Sequence, residues 1–565
     1  MEKILLLAAA AILSAQTYTL KPINITDNQN TILSDTHEVL KAKVQLQESA
    51  PGLYNPIING LQGDKVSITI DGLRFSNAIW RSGPNQYFSW IPQEFVLNNE
   101  ILPTSDAIGS TINAQLGISE NSVSYNFDQY NTGNTALVKM DYGEVKAGLK
   151  YQNTGNYNAI EQSDYNQNAI YLEHSAKNHS SKLLYSVSKD IDRPDKLIKK
   201  VPYTWDIQEY FLLKHNYSVS DSDSLEMSFQ RFNEKIDDNG EKYNSNNNMY
   251  GLKYNHIFTD ELNLIFSNYY EDMSHKESDY SYNTLSTGFE YRHGFEDFSV
   301  YSRYILANAN AHWDNNKRDF LSNALSLELY EDIWYTRYDY GYKFPSIQTI
   351  AYPETTGKGY DLPNTHLEQE ISHTFTLGTR DYYSTNVSYD LSIYYLYMEN
   401  LIDRIRLDYQ IAGEDVYQIK NVDNGFTYGA NIETNFQFFD VKNYFSLQYA
   451  NGKTSKDYIS KLTPLKLFYK TEYKDLYLKW EYAPKSYQLA KSDLADVRIE
   501  DPRYNQYHNV GYNLFSLGMK HTINRSNSIT VNFNNIFNNN GRVLGSSIDV
   551  PEQSFSVKYK YSLAI

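Results

Sequence analysis

The chain closes, over residues 554–565, on the stretch SFSVKYKYSLAI. From 555 to 563 every odd-numbered residue is apolar or aromatic, and every even-numbered one is serine or lysine. Because successive side chains of a strand point to opposite faces, this alternation predicts a strand with one apolar and one polar face. The same pattern recurs at residues 387–397 and 476–482. Repeated along the chain, it predicts a transmembrane antiparallel β-barrel.

The first fifteen residues predict a secretory signal peptide. Lys3 precedes an apolar run over residues 4–13, and Ser14 and Ala15 follow it. Ten apolar residues are too few to span a bilayer as a helix, but they suit the core of an export signal. A buried N-terminal helix is the alternative interpretation. Export together with a barrel predicts the outer membrane of a Gram-negative cell, with lipid around the wall.

Composition narrows the function classes. The chain has 53 tyrosines against 25 phenylalanines and 6 tryptophans, which suits the interfacial girdles of a barrel. It has no cysteine, so thiolate metal sites and disulfides are excluded. A formal net charge of −17 argues against a nucleic-acid partner. Acidic loops could attract cationic or metal-bearing solutes, although general solubility explains the charge better.

Two regions differ in pattern. Residues 27–121 predict a small α+β unit, with a strand at 66–70 and a turn at Asp71-Gly72. Residues 122–565 alternate in strand-length segments, with a hairpin signal at Asn239-Gly240. At roughly 20 residues per strand with its connection, this region accommodates about 22 strands. A barrel that wide has an open lumen, so the N-terminal unit is a candidate plug inside it.

Several motifs then resemble those of the TonB-dependent outer-membrane receptors, over almost the whole chain. The segment 57–91 is similar to the plug core of that family, and its run RSGPNQY (81–87) resembles one found in haem- and metal-complex-type members. SDAIG (105–109) followed by Ile112-Asn113 is similar to the closing signature of the plug. The arginine-glycine-proline that usually precedes this signature is missing here, and so is the tyrosine-glycine pair of the family.

Three barrel motifs follow in the expected order. YKFPS (342–346) with LPNTHLE (362–368) resembles the paired mid-barrel motifs of iron-complex and haem receptors. Asn421-Val422 with Gly429 and Glu433 resembles a later strand motif, and NNIFN (534–538) resembles the motif of the penultimate strand. No histidine lies between residues 344 and 362, where haem receptors of this type carry an axial ligand, which disfavours haem.

The resemblance implies active transport, with no cofactor and no catalysis, by a monomer. In the family an N-terminal box binds TonB, which delivers inner-membrane energy; here the leader 16–26 contains Leu20, Ile23, Ile25 and Thr26 in the matching pattern. An ordinary exposed leader is the alternative. The implied cargo is a scarce metal complex, first an iron chelate (siderophore or haem), then a cobalamin, copper or nickel complex. A passive porin and a surface-binding barrel remain rival interpretations.

Candidate binding residues lie at the expected apex of the plug. Arg81, Asn85, Gln86 and Tyr87 combine polar donors with an aromatic ring, which suits an anionic chelate or a sugar-like ligand. A structural apex loop is an equally good interpretation. His312 is a weak candidate for a metal or haem ligand, and an ordinary exposed histidine explains it better. No nucleophile–base pair or phosphate-binding loop is present in the sequence, so we expect no enzyme.

Overall fold

The computed structural model describes residues 33, 36–50, 53–75, 88–102, 107–129, 133–155, 165–195, 200–220, 222–238, 241–257, 261–275, 278–295, 297–351, 354–356, 359–381, 387–459, 461–490, 509–546 and 548–563. Within this part of the chain, no helix is long and apolar enough to cross a lipid bilayer.

The N-terminal part forms a small α+β unit. Its helix is α1 (Thr36–Lys43), and its strands are β1 (Gln45–Ala50), β2 (Leu53–Ile57), β3 (Ser67–Ile70), β4 (Leu73–Arg74), β5 (Val96–Leu102) and β6 (Thr111–Leu116). Strands β1 and β2 pair as a hairpin, and the other four form a sheet in the order β4-β3-β6-β5. Short 3₁₀ turns at Gly63–Lys65, Phe88–Trp90 and Gln93–Phe95 connect them.

The predicted turn between β3 and β4 is present, and its backbone explains its residues. Asp71 and Gly72 both have positive φ, 47° and 85°, which aspartate tolerates and glycine favours. The Asp71 carboxylate accepts a hydrogen bond from the Leu116 backbone N–H at 2.9 Å. Asn113 accepts one from the Gly72 N–H at 2.9 Å. The turn is thereby fixed to β6.

The rest of the chain forms the barrel wall. Its first strands are β7 (Ser122–Asp128), β8 (Gly133–Asp141), β9 (Val145–Thr154), β10 (Tyr165–Ala176), β11 (His179–Asp195), β12 (Lys200–Ser218), β13 (Asp223–Asp238), β14 (Glu241–Ile257), β15 (Glu261–His275), β16 (Ser278–Gly294), β17 (Ser299–Trp313), β18 (Asn316–Glu331) and β19 (Trp334–Lys343). A loop containing α2 (Ile347–Ala351) and the short strands β20 (Glu354–Thr356) and β21 (Gly359–Leu362) follows.

The remaining wall strands are β22 (Glu370–Asp381), β23 (Val387–Ile411), β24 (Glu414–Phe438), β25 (Val441–Thr454), β26 (Leu465–Tyr473), β27 (Leu476–Ala483), β28 (Tyr512–Thr522), β29 (Asn527–Asn534) and β30 (Ser554–Ser562). β19 pairs directly with β22, and β30 pairs with β7. In the described residues, twenty-two antiparallel strands therefore close the barrel, and the predicted plug-and-barrel fold is confirmed.

The alternation seen in the sequence separates the two faces of this wall. In β30, Ser554 and Ser556 are buried towards the lumen, whereas Tyr559 and Tyr561 are exposed on the outside. In β23, Leu391, Ile393 and Tyr395 are exposed, and the intervening residues face inward. Since the outer face carries large apolar side chains that water would disfavour, the wall has the pattern of a lipid-facing surface.

The two ends of the barrel differ. At the end we call the turn end, connections are short, as between β8 and β9 or β26 and β27. At the opposite end, which we call the loop end, the longer connections lie at residues 344–369, 455–464, 484–511 and 535–553. Both β7 and β30 have their free ends at the turn end, because the strand number is even. The plug fills the lumen between the two ends.

Candidate functional site

The first contact between plug and wall is made by helix α1. Ala42 is fully buried against the rings of Tyr444 and Phe468, which project inward from β25 and β26. A small cavity lies next to this contact, between the plug and β24–β26. It is lined by Gln45, Ile57, Asn59, Gly60, Asn431, Gln448, Tyr449, Ala450, Thr463 and Lys466. The contact therefore borders a small space between the plug and the wall.

The wall supplies hydrogen-bond donors to the last carbonyls of α1, which have no partner within the helix. The Ser446 hydroxyl donates to the Ala42 carbonyl at 2.6 Å. The Lys466 ammonium donates to the Val44 carbonyl at 2.7 Å and also to the carbonyl of Lys41. Gln448 donates to the Lys43 carbonyl. Three wall side chains thus close the end of one plug helix.

An ion pair connects the N-terminal half of the same helix to the wall. The Lys470 ammonium donates to the Glu38 carboxylate at 2.8 Å, and Lys470 is only 1 % exposed. Lys466 is 4 % exposed and, in the described part of the chain, lies within ion-pair distance of no carboxylate. Its ammonium donates instead to carbonyls at the negative end of the helix dipole, and Glu481 on β27 attracts it from a greater distance.

A second charged contact joins the plug to β19 and β22. The Lys343 ammonium lies 2.6 Å from the Asp64 carboxylate and 2.9 Å from that of Glu370. Lys65 lies 3.5 Å from Glu370, which is fully buried and also accepts the Ile402 backbone N–H at 2.9 Å. Burial alone would raise the pKa of Asp64, but Lys343 and Lys65 outweigh it and hold that pKa below its usual value.

The mid-barrel and later strand motifs meet in this region. The Asn421 amide donates to the Glu368 carbonyl at 3.0 Å and accepts the Glu368 backbone N–H at 2.9 Å. The Asn364 amide donates to the Ile419 carbonyl at 3.1 Å. These motif residues therefore fasten the loop between β19 and β22 onto β24, and Lys343 connects that loop to the plug.

At the loop end, the connection over residues 535–553 folds onto the plug hairpin. The Gln47 amide donates to the Gly545 carbonyl at 3.0 Å, and the Glu48 backbone N–H donates to the Ser546 hydroxyl at 2.8 Å. Gly545 has φ 85°, and a Cβ there would lie 2.7 Å from the Gln62 side chain. The connection thus needs glycine in order to reach the plug.

A group of buried polar atoms next to this connection has unused hydrogen-bonding capacity. Asn509 exchanges backbone hydrogen bonds with Ser486 and donates its amide to the Arg542 carbonyl at 3.1 Å. The Ser486 hydroxyl, the Asn509 Oδ1 and the Arg542 Nη1 are buried and find no partner among the described residues. Because an unpaired buried polar atom costs about 1–3 kcal/mol, such a group fits a polar ligand or ordered water.

The opposite side of the plug packs through aromatic rings. Trp90 stacks on Phe232 at 5.1 Å, and Phe75 meets Tyr210 and Phe232 edge-on at 5.3 Å. Nearby, Lys150 pairs with Glu94 at 2.8 Å and Lys182 with Asp71 at 3.3 Å. Trp90 is thus part of the core.

The predicted site residues are distributed as follows. Arg81, Asn85, Gln86 and Tyr87 lie outside the described residues, as do the signal segment and the box residues Leu20, Ile23, Ile25 and Thr26. His312 is exposed on the outer face, between the inward Ala311 and Trp313 at the end of β17. No group of three or more potential metal ligands occurs in the part of the chain that the structure describes.

Sequence reasoning missed the inward lysines. Lys466 and Lys470 alternate with outward apolar residues in β26, so both were on the polar face that the pattern predicts. What the pattern could not show was that this face meets α1. Lys343 lies inside a recognised motif, yet its partners Asp64 and Glu370 come from distant segments.

Together, the fold and this interface define the chain as a plugged β-barrel. Neither a family model nor a curated protein sequence matches the chain. Solved structures do match its fold. The copper transporter OprC superposes with a TM-score of 0.75 at 12% identity, covering 94% of this chain and 96% of that one.

Two further solved structures agree. The FrpB iron transporter from Neisseria meningitidis (F5-1 variant) has a TM-score of 0.74 at 10% identity and covers 95% and 98% of the two chains. A mutant of the ferric enterobactin receptor PfeA from Pseudomonas aeruginosa has a TM-score of 0.70 at 13% identity and covers 94% and 95%. At these identities the likeness establishes the fold, and this chain has the fold of these transporters and receptors over nearly its whole length.

Proposed function

We propose that this chain is a TonB-dependent outer-membrane transporter that takes up a scarce metal complex, with an iron chelate as the first candidate. The observation that carries the proposal is a plug held inside a twenty-two-stranded wall by buried ion pairs and wall-to-backbone hydrogen bonds. Such a plug closes the lumen to free diffusion, so passage requires that energy be applied to it. Solved proteins of this fold are named as metal or ferric-chelate transporters and receptors.

The rival functions fit the structure less well. A passive porin needs an open lumen, whereas here the plug contacts several sectors of the wall, from β9 to β26. A surface-binding barrel needs large displayed loops. Several loop-end connections are short, such as the two residues between β17 and β18 and between β23 and β24.

The test of energised transport uses the leader. A strain that lacks the chromosomal copy would receive either the full chain or the chain without residues 16–26. We expect accumulation of radioactive iron from a supplied chelate to fall to background in the deletion, because TonB would no longer reach the plug. Surface binding of the chelate should persist. Accumulation that survives the deletion undiminished would favour the porin.

The cargo is tested by growth. The strain that lacks the chromosomal copy would be grown with one iron source at a time, each a siderophore complex or haem. Its growth would be compared with that of the same strain carrying the full chain. A growth defect on one source, cured by the full chain, identifies the cargo. Unimpaired growth on every iron source would remove iron and leave cobalamin, copper or nickel complexes as candidates.

The plug apex is proposed as the ligand-binding surface. If Arg81, Asn85, Gln86 and Tyr87 bind the chelate, Arg81→Ala should weaken binding by about tenfold, which corresponds to the loss of one charge-assisted hydrogen bond. Lys317→Ala is a suitable control, since Lys317 is an exposed lysine at the loop end on the outside of the wall. Equal affinity of the two variants would remove the apex from the site.

A further inference from the structure

The wall behind α1 carries positive charges that the plug itself neutralises. Lys466, Phe468 and Lys470 are successive inward residues of β26, and Lys479 is an inward residue of β27. Lys479 keeps a wall partner, Glu481, at 3.3 Å. Lys466 and Lys470 depend on α1, the first through helix carbonyls and the second through Glu38. This arrangement lies in a chain whose formal net charge is −17.

We propose that α1 covers an anion-binding surface on β26, called the lane, which Lys466, Phe468 and Lys470 form. Releasing α1 would expose this lane to an anionic metal chelate. The inference rests on the proposed transport function and gives the charge class of its cargo. In the closed state the Glu38 carboxylate and the negative end of the helix act as an internal substitute for the anion. Without α1, Lys466 would lose its carbonyl acceptors and Lys470 its carboxylate partner. Glu481, the wall carboxylate that attracts Lys466, already pairs with Lys479, so an anionic chelate would supply the missing negative charge.

The neighbouring charges support a lane on β26 in particular. Glu433 on β24 lies 3.9 Å from Lys43 and would also lose its partner when α1 leaves. Glu433 is two strands away from Lys466, whereas Glu481 lies opposite Phe468 on β27 and already pairs with Lys479. Positive charge therefore exceeds negative charge on this part of β26 and β27. The existing cavity reaches from Gly60 and Ala450 to Lys466, so the lane begins where space is already present.

The absence of cysteine allows a direct test with a single introduced thiol. Phe468→Cys would place the thiol between the two lysines. Ala42→Trp, a neutral substitution, would displace α1 from the wall, because Ala42 is fully buried against Tyr444 and Phe468. The purified full-length double variant would be labelled with a negatively charged and a positively charged methanethiosulfonate of similar size, and the two rates compared.

We expect the anionic reagent to react roughly tenfold faster once α1 is displaced, and neither reagent to react while α1 is in place. In a Lys466→Gln, Lys470→Gln background the preference should fall to about onefold. Glu433→Gln is the matched control and should leave or increase the preference. A second thiol, Thr284→Cys on the inward face of β16, should show no such preference.

Three results would overturn the proposal: equal rates for the two reagents, a preference that survives the loss of both lysines, or no labelling after α1 is displaced. Trypsin resistance of the wall would establish that the Ala42→Trp variant folds. Sub-denaturing urea on the Phe468→Cys single variant provides a second way to loosen the plug. Because the assay uses neither metal nor TonB, its failure is distinguishable from failure of the transport function.

Discussion

Glu370 illustrates how one residue can hold the plug to the wall. It is fully buried, and its carboxylate forms ion pairs with Lys343 and Lys65. The carboxylate also accepts a hydrogen bond from the Ile402 backbone N–H. Buried ion pairs gain little over apolar packing, but removing one partner leaves the other charge uncompensated. The contact is therefore sensitive to substitution, because Lys343 and Lys65 share this buried carboxylate.

We expect Glu370→Gln to lower the free energy of unfolding by about 3 kcal/mol, since two half-buried lysines lose their fully buried charge partner. Chemical denaturation of the purified protein in detergent would measure the change. Asp319→Asn removes one partner of the exposed Lys317–Asp319 pair and should change the same quantity by less than about 1 kcal/mol. Similar effects of the two substitutions would contradict the role of Glu370.

A pH dependence follows from Glu94 in the plug. Burial alone would raise the pKa of Glu94, but Lys150 at 2.8 Å outweighs it and lowers that pKa below the usual value. Because the folded pKa lies below the unfolded one, near 4.3, the contribution to stability is complete above about pH 5. It is lost as the pH falls through the folded pKa. Denaturation midpoints measured between pH 7 and pH 3 should therefore fall less steeply in Glu94→Gln than in the wild type.

Contacts between individual side chains were the feature that the sequence predicted least well. The alternating pattern places Lys466 and Lys470 on the inward face, but an inward lysine can meet water, a ligand or the plug. Their partners lie more than 400 residues away, since Lys470 donates to Glu38 and Lys466 to the carbonyl of Val44. Local periodicity contains no information on such pairs, which only the closed barrel brings together.

Among the elements, the end of β29 decides how the connection over residues 535–553 is placed. Asn535 has φ 47° and is buried. Its amide donates to the carbonyls of Asn539 and Pro551 at 2.9 and 2.8 Å, and its Oδ1 accepts the Asn539 backbone N–H at 2.9 Å. This asparagine belongs to the penultimate-strand motif, so in this chain the motif fixes the connection that follows β29.

We expect Asn535→Ala to release this connection from the plug, because it removes three hydrogen bonds and places a residue that disfavours positive φ. Arg542, which is 1 % exposed, should then become a site of trypsin cleavage. Mass spectrometry of a limited digest would detect the cut. Asn538→Gly keeps the backbone conformation at φ 49° and should remain resistant. Equal resistance of both variants would show that Asn535 is not the anchor.

The positions of strands and turns along the chain were more predictable than the pairing between strands. Period-two alternation predicted a strand over residues 555–563, and β30 spans Ser554–Ser562. The strand predicted over 66–70 is β3, Ser67–Ile70. Both signals are local: side-chain alternation, and an Asp-Gly pair that accepts positive φ. The length of β23, 25 residues with shifts in register, was not predictable, because it depends on pairing with β24.

At the scale of the whole molecule, chain length divided by strand repeat gave the correct number of wall strands. The closing of these strands into a barrel then determines which inward residues contact the plug and which line the lumen, and the sequence alone does not predict this. The match to solved transporters at 10–13% identity shows that a pattern of alternation, rather than particular residues, encodes this wall. The cargo depends on particular residues, and for that reason the fold does not name it.

The lipid-facing band can be tested within one strand. Ile393 lies near the middle of the outer band of β23 and is 59 % exposed, whereas Ile411 ends the same strand at the loop end. If the band faces lipid, Ile393→Arg places a charge in hydrocarbon and should cost about 2–4 kcal/mol, measured as the change in unfolding free energy in bilayers. Ile411→Arg, the same substitution beyond the band, should cost at most about 1 kcal/mol. In detergent-free water no such difference would exist, because arginine is favoured on any exposed surface. Equal costs at the two positions would therefore contradict a membrane-embedded wall.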